Sequence, residues 1–178
     1  MQENYCTNAR KQETDLTILG IDPGYATIGY GIVNKDGASL NAIDYGVIQT
    51  PKEESIPVRL AMLDDALTAI INKFKPDAVS VEELFFNTNI TTGIKVAQAR
   101  GVILLCAIKK CGRLYEYTPL QIKQALTGNG RAEKHQVQFM VKALLKLDTV
   151  PKPDDAADAL AAAVCHASFG DYAHRILN

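Results

Sequence analysis

The chain has 178 residues, 47% of them apolar and 22% charged, an ordinary composition for a soluble globular protein and enough length for a proper core. No apolar run approaches the roughly 20 residues of a membrane-spanning helix, and residues 1–15 lack the apolar segment of a secretory signal. The formal net charge of −1 argues against a generally basic protein.

In chain order, residues 1–15 are polar and read as a flexible tail, leaving 16–178 as one domain. Leu16-Thr17-Ile18-Leu19-Gly20-Ile21 has the near-continuous apolar character of a strand covered on both faces. It ends on Asp22, and Pro23-Gly24 supplies a turn. Asp22 is thereby expected at the carboxyl edge of a central strand, where ligands gather in α/β sheets. Residues 26–34 read as a second strand, Lys35-Asp36-Gly37 as a hairpin turn, and 39–50 as a third strand, an antiparallel meander in all. Ser55 and Pro57 open a helix whose Leu60, Leu63, Leu67, Ile70, Ile71 and Phe74 keep helical spacing. Residues 78–81 form a short fourth strand with Glu82-Glu83 at its end.

Leu84-Phe85-Phe86 and a polar loop over 87–92 come next, then a long helix over 93–110 closed by Gly112. Residues 113–118 read as a fifth strand, 119–126 as a short helix, and 132–147 as another helix after the loop Thr127-Gly128-Asn129-Gly130. Pro151 and Pro153 break the chain before a last helix over 154–168. The order βββαβαβααα describes an α/β fold with a mixed five-stranded sheet flanked by helices. Cys106 and Cys165 sit in apolar surroundings and read as reduced core residues, and the four cysteines lack paired metal-ligand spacing.

Charge is unevenly spread. Residues 1–86 carry 7 Lys/Arg against 13 Asp/Glu, residues 87–150 carry 10 against 3, and residues 151–178 carry 2 against 4. A basic middle between acidic ends suits a site that binds polyanion with one region and metal with another. Four acids fall where such chemistry could use them: Asp22, Glu82, Asp155 and Asp158. On the last helix the i, i+3 pair Asp155/Asp158 shares a face, and so does the i, i+4 pair Asp154/Asp158, so spacing does not choose between them. Asp154 follows Pro153 and suits an N-cap. The helix is otherwise Ala-rich, and a carboxylate packed closely there is costly without a compensating cation. Four carboxylates balance the charge of two magnesium ions, the arrangement that clamps both oxygens of a phosphodiester undergoing displacement. Gly128-Asn129-Gly130 before a helix could present backbone N–H groups to a phosphate, with Lys134 adding charge.

Five ordered motifs resemble one family. Gly20-Ile21-Asp22-Pro23-Gly24, Val81-Glu82-Glu83-Leu84-Phe85, Gln98-Ala99-Arg100-Gly101, Gly128-Asn129-Gly130-Arg131-Ala132-Glu133-Lys134 and Asp155-Ala156-Ala157-Asp158-Ala159-Leu160 look like RuvC, the bacterial Holliday junction resolvases. The match spans about residues 16–167. The resemblance implies a ribonuclease H-like fold and a cytoplasmic homodimer. It further implies cleavage of four-way DNA junctions by paired symmetric nicks, with Mg2+, two per subunit, or Mn2+ in its place. It also implies partnership with the RuvA–RuvB branch-migration complex and roles in recombination and repair.

By the same resemblance the catalytic, metal-binding acids fall on Asp22, Glu82 (not Glu83), Asp155 and Asp158, leaving Asp154 as a cap. The basic residues near the scissile phosphate fall on Lys123 and Lys134, with Arg131 beside them for DNA, and the aromatic that enters the junction falls on Phe85. Some family members carry His where Asp155 stands. Gly-Ile-Asp-x-Gly after a first strand also resembles the phosphate-binding turn of sugar kinases, whose chains are usually about twice this length.

Overall fold

Glycine and proline punctuation sets the first three strands of the computed structural model, which describes residues 15–83 and 90–170. β1 (Asp15–Asp22) pairs antiparallel with β2 (Thr27–Asp36), and β2 with β3 (Ser39–Gln49). Gly37, at φ +57°, makes the tight hairpin that its missing Cβ permits. A register shift at Ile32/Val33 interrupts the β2–β3 ladder, and Ile43 opposite it is 51% exposed. β1 begins at Asp15, which pairs with Asp36, one residue earlier than the sequence suggests.

α1 (Ile56–Phe74) returns the chain to β4 (Ala78–Glu82), which pairs parallel with β1. α2 (Ile90–Lys110) leads to β5 (Leu114–Tyr117), parallel to β4. The sheet order is β3-β2-β1-β4-β5, so β1 is central, in keeping with its near-continuous apolar run. α3 (Pro119–Thr127), α4 (Lys134–Leu144) and α5 (Asp154–Phe169) complete the chain. This is the expected element order, a mixed five-stranded sheet with helices on both faces.

Boundaries shift where side chains compete for the backbone. Thr118 opens α3 by accepting from the Gln121 N–H at 3.2 Å, while Gln121 Oε1 accepts from the Thr118 N–H at 2.8 Å, a reciprocal cap. α4 starts at Lys134 rather than at residue 132, because a turn at 129–132 is closed by the Ala132 N–H donating to the Asn129 carbonyl at 3.0 Å. It ends before Lys146, whose φ of +55° leaves the helical region. α2 takes in residues 90–92, which the sequence suggests are loop. The expected tail over residues 1–14, Cys6, the wedge Phe85, Phe86 and the loop residues 87–89 lie outside the described residues.

Strand alternation divides the core in two. Leu19, Ile21, Val79 and Val81 pack toward α1 and α2, with Leu63, Leu67 and Ile103. Ile18, Val33 and Ala78 pack toward α3, α4 and α5, with Ile122, Val141 and Leu160. Cys106 and Cys165 are buried, and burial pushes the Cys165 thiol up to about 12, in keeping with inert core residues.

α5 lies unusually close to the sheet. It buries a run of alanines from Ala156 to Ala167, and the sheet offers glycines beneath it. A Cβ on Gly20 would collide with the Ala159 carbonyl oxygen, and one on Gly29 with that of Asp155. Small residues on both partners bring the first turn of the helix down onto the strand ends.

Candidate active site

That close approach assembles the acids. On β1, Gly20 faces α5, and on β4 the Ser80 hydroxyl donates to the Ala162 carbonyl of α5 at 2.7 Å. Two residues further along each strand, on the same face, come Asp22 and Glu82. Gly20 is opposite Ser80 and Ile21 opposite Val81 in the parallel ladder, so the two acids end neighbouring strands side by side. Alternation along β4 from Ser80 places Glu82, the residue that the motif selects, on this face. Across the sheet Asp22 pairs with Gly29, and Gly29 is where α5 touches down at Asp155. Asp155 and Asp158, one turn apart, thus begin their helix over the ends of β1 and β4.

The acids act on one another electrostatically. The Asp22 carboxyl is pushed up to about 7, first by burial and then by the charges of Glu82, Asp158 and Asp155, with Lys134 opposing. Glu82 is pushed up to about 7 by burial and then by Asp158, with Lys134 and Lys123 opposing. Half-buried carboxylates that repel each other favour protonation or a cation. Hard divalent ions with oxygen ligands answer that deficit, so the donor set fits such an ion.

Among the described residues no three such donors converge on one point, and one of the four acids is engaged by a cation. The Lys134 ammonium sits 2.9 Å from Asp158 Oδ2 and 3.5 Å from Asp154 Oδ2, so Asp158 is turned toward a lysine. Burial works against the charge on Lys134, but its hydrogen bond and charge pairing with Asp158, and then Asp154, outweigh this and raise its pKa.

A cleft of about 210 Å³ opens beside these groups, with Glu82, Asp158, Lys123 and Lys134 as its polar lining and Pro119, Ile122 and Val137 as apolar walls. Asp22 and Asp155 are outside this lining and are coupled to it through charge. Two lysines and two acids on one cleft allow a polyanion and a cation to be held next to each other. Arg131 is exposed on the preceding loop and does not line the cleft.

Two expectations need correction. The loop 127–131 does not offer its N–H groups to a phosphate. The Gly128 N–H donates to the Gln124 carbonyl at 2.9 Å, that of Asn129 to Thr127 Oγ1 at 3.1 Å, that of Gly130 to Gln124 Oε1 at 2.9 Å and that of Arg131 to Asn129 Oδ1 at 2.9 Å. Its donors are satisfied internally, so a phosphate there would meet side chains. Asp154 is also not an N-cap. Pro153 holds that position, and the Asp154 carboxylate pairs with Lys152 at 2.9 Å and with Lys134.

One site-positioning residue escapes the motif reading. Arg59 is 5% exposed. Its Nε donates to Thr50 Oγ1 at 2.9 Å, its Nη2 donates to the Tyr25 carbonyl at 3.3 Å, and its guanidinium stacks 3.9 Å from the Tyr25 ring centroid. It clamps the turn that leaves Asp22. The signal was present: Arg59, Leu63, Leu67 and Ile71 form one i, i+4 buried stripe, and a cation on such a stripe needs a fixed partner.

A family model described as "Crossover junction endodeoxyribonuclease RuvC" matches residues 18–166. A crossover junction endodeoxyribonuclease RuvC from Petrotoga mobilis is 57% identical over 154 residues, which are 86% of this chain and 94% of that protein. The structure of Thermus thermophilus RuvC superposes with a TM-score of 0.80 at 35% identity, covering 88% of this chain and 96% of that one. T. thermophilus RuvC in complex with its Holliday junction substrate gives the same TM-score of 0.80 at 33% identity and the same coverage, 88% and 96%.

Proposed function

The chain belongs to the RuvC family of crossover junction endodeoxyribonucleases, and from that premise we infer that it resolves four-way (Holliday) DNA junctions by hydrolysing phosphodiesters with divalent metal. One observation carries the local assignment: Asp22 and Glu82, side by side at the ends of parallel strands, are both raised to about 7 by burial and by neighbouring acids. Such a pair is unfavourable unless a cation is to be held there.

Asp22, Glu82, Asp155 and Asp158 would hold two Mg2+ ions, with Mn2+ able to substitute. When bound, the ions supply Lewis acidity that makes water nucleophilic at neutral pH and offset charge on the phosphodiester. The protein's own residues do the rest. Lys123 and Lys134, on the cleft wall, neutralise the scissile phosphate and its neighbour. The apolar wall of Pro119, Ile122 and Val137 limits solvent on that side. Arg131, exposed on the rim, pairs with a backbone phosphate outside the cleft. Phe85, just beyond Glu83, serves as the aromatic wedge that enters the opened junction.

A homodimer is the assembly that fits two symmetric cuts. Ile94, Leu105 and Ile108 of α2 are 56%, 54% and 49% exposed and follow one stripe with Gly101. Val58 and Met62 of α1 are exposed apolar residues as well. Asp64 and Asp65 on α1 share a groove with Lys109 and Lys110 on α2, so the seam carries both signs of charge. Family membership supports partnership with the RuvA–RuvB complex and action on DNA in the cytoplasm, and none of the described helices is long and apolar enough to cross a membrane.

The test is cleavage of a labelled mobile four-way junction with and without Mg2+, beside linear duplex and an RNA–DNA hybrid. Paired symmetric nicks on the junction alone, and only with metal, are expected. Cutting of every substrate would remove the junction role and leave a general nuclease.

A further inference from the structure

We propose that Asp154 is a positioning residue that shares Lys134 with Asp158 and so frees Asp158 for a divalent cation, an inference that rests on the metal-dependent nuclease reading above. Asp154 and Asp158 stand i, i+4 on the first turns of α5, one above the other. A single ammonium from α4 reaches both: Lys134 Nζ is 2.9 Å from Asp158 Oδ2 and 3.5 Å from Asp154 Oδ2. The other oxygen of Asp154, Oδ1, takes Lys152 Nζ at 2.9 Å. The result is an alternating chain of charges, Lys152, Asp154, Lys134, Asp158, running from solvent into the cleft. The Asp154 side chain is 46% exposed against 27% for Asp158, so the outer acid lies off the cleft and the inner one lines it.

Asp158 has two suitors. An oxygen that accepts from Lys134 is lost to a cation, because ammonium and metal compete for the same lone pairs. Without a second carboxylate, Lys134 would have to give up its partner whenever an ion arrived, and the ion would bear that cost. Asp154 already lies within ion-pair distance at 3.5 Å, so the ammonium keeps a carboxylate partner in reach when an ion takes Asp158. Lys134 then stays on the cleft wall beside Lys123, where a phosphate is held. Lys152 partly neutralises Asp154, which keeps this outer acid from attracting the ion itself.

The test is Mn2+ titration of the full chain without DNA, in the wild type, D154N, K134M and the double variant. D154N is expected to raise the half-saturating Mn2+ concentration about fivefold, and in the K134M background the same change is expected to shift it less than about twofold, as for coupled neighbours. D154E, which restores a carboxylate, is expected to return affinity toward wild type. An unchanged D154N, or the same shift in both backgrounds, overturns the proposal, since the second result is only the loss of a nearby charge. A wild type that binds Mn2+ and cuts junctions while D154N is unaffected overturns this inference alone. A wild type that neither binds Mn2+ nor cuts overturns the nuclease reading along with it.

Discussion

Asp22 illustrates how an active-site carboxylate trades stability for function. Its carboxyl, like that of Glu82, is raised to about 7 from an unfolded value near 4. Between those values the metal-free folded state binds more protons than the unfolded one, so stability is present at low pH and is lost as pH rises through about 7. Asp22→Asn removes that loss. At pH 8 without metal the variant should melt about 5 °C higher than wild type, and the gain should vanish near pH 4 in thermal scans. The same variant should retain junction binding and lose cleavage by at least about 100-fold, measured by gel shift and by nicking of a labelled junction. Metal binding to the wild type must displace protons from these acids, so affinity should fall about tenfold between pH 7 and pH 6. A pH-independent affinity would mean that Asp22 and Glu82 are not ligands.

Arg59 is the other residue-scale case. Its buried guanidinium holds the turn after Asp22 through the Tyr25 carbonyl, Thr50 Oγ1 and the Tyr25 ring. Arg59→Met keeps the apolar stem but strips both hydrogen bonds. It should cost roughly 2–3 kcal/mol in denaturant unfolding, and junction cleavage should fall further than that loss explains because Asp22 loses its fixed turn. Full cleavage in a destabilised variant would make Arg59 a core residue only.

At the scale of elements, the site depends on how closely α5 rides on the sheet. Gly29 is opposite Asp22 and beneath the Asp155 carbonyl, so a methyl group there must push against backbone and not against a flexible side chain. Gly29→Ala should destabilise by about 1–3 kcal/mol in urea unfolding and should weaken cleavage more than an equally destabilising change far from α5. The loop before α4 teaches the converse. Its Gly-Asn-Gly composition looks like a phosphate cradle, yet its N–H groups are spent on Thr127, Gln124 and Asn129. Side-chain amides and hydroxyls near glycines compete for the same donors that a phosphate would use.

At the scale of the molecule, the chain brings its two acidic ends and its basic middle to one place. Asp22 comes from the first strand, Asp155 and Asp158 from the last helix, and Lys123 and Lys134 from the segment with 10 Lys/Arg against 3 Asp/Glu. The exposed stripe of α2 belongs to this scale too. Leu105, 54% exposed, lies near its centre, and Leu105→Glu is expected to turn the homodimer proposed above into a monomer in analytical ultracentrifugation. The monomer should lose paired nicking of the junction, and a variant that remains dimeric would place the seam elsewhere.

The sequence by itself determined the element order, the central buried strand, the meander and the four acids at strand and helix ends. The first three rest on signals confined to a few neighbouring residues, apolar periodicity and Pro and Gly dihedral limits, whereas the choice of Glu82 over Glu83 and of Asp155 over Asp154 came from the resemblance of the ordered motifs to a family. Only the folded structure decided that Asp154 pairs with lysines in place of capping its helix, that the 127–131 loop keeps its own donors, and that Arg59 is buried behind the Asp22 turn. The Arg59 clamp and the Lys134 pairing depend on partners that arrive from elsewhere in the chain, and the loop's bonds depend on side-chain rotamers; hydrophobic periodicity carries no record of either. A hydrogen bond or ion pair between residues 20 or more positions apart exists only once packing has set the distance, and the contact of Lys134 with two aspartates is of that kind.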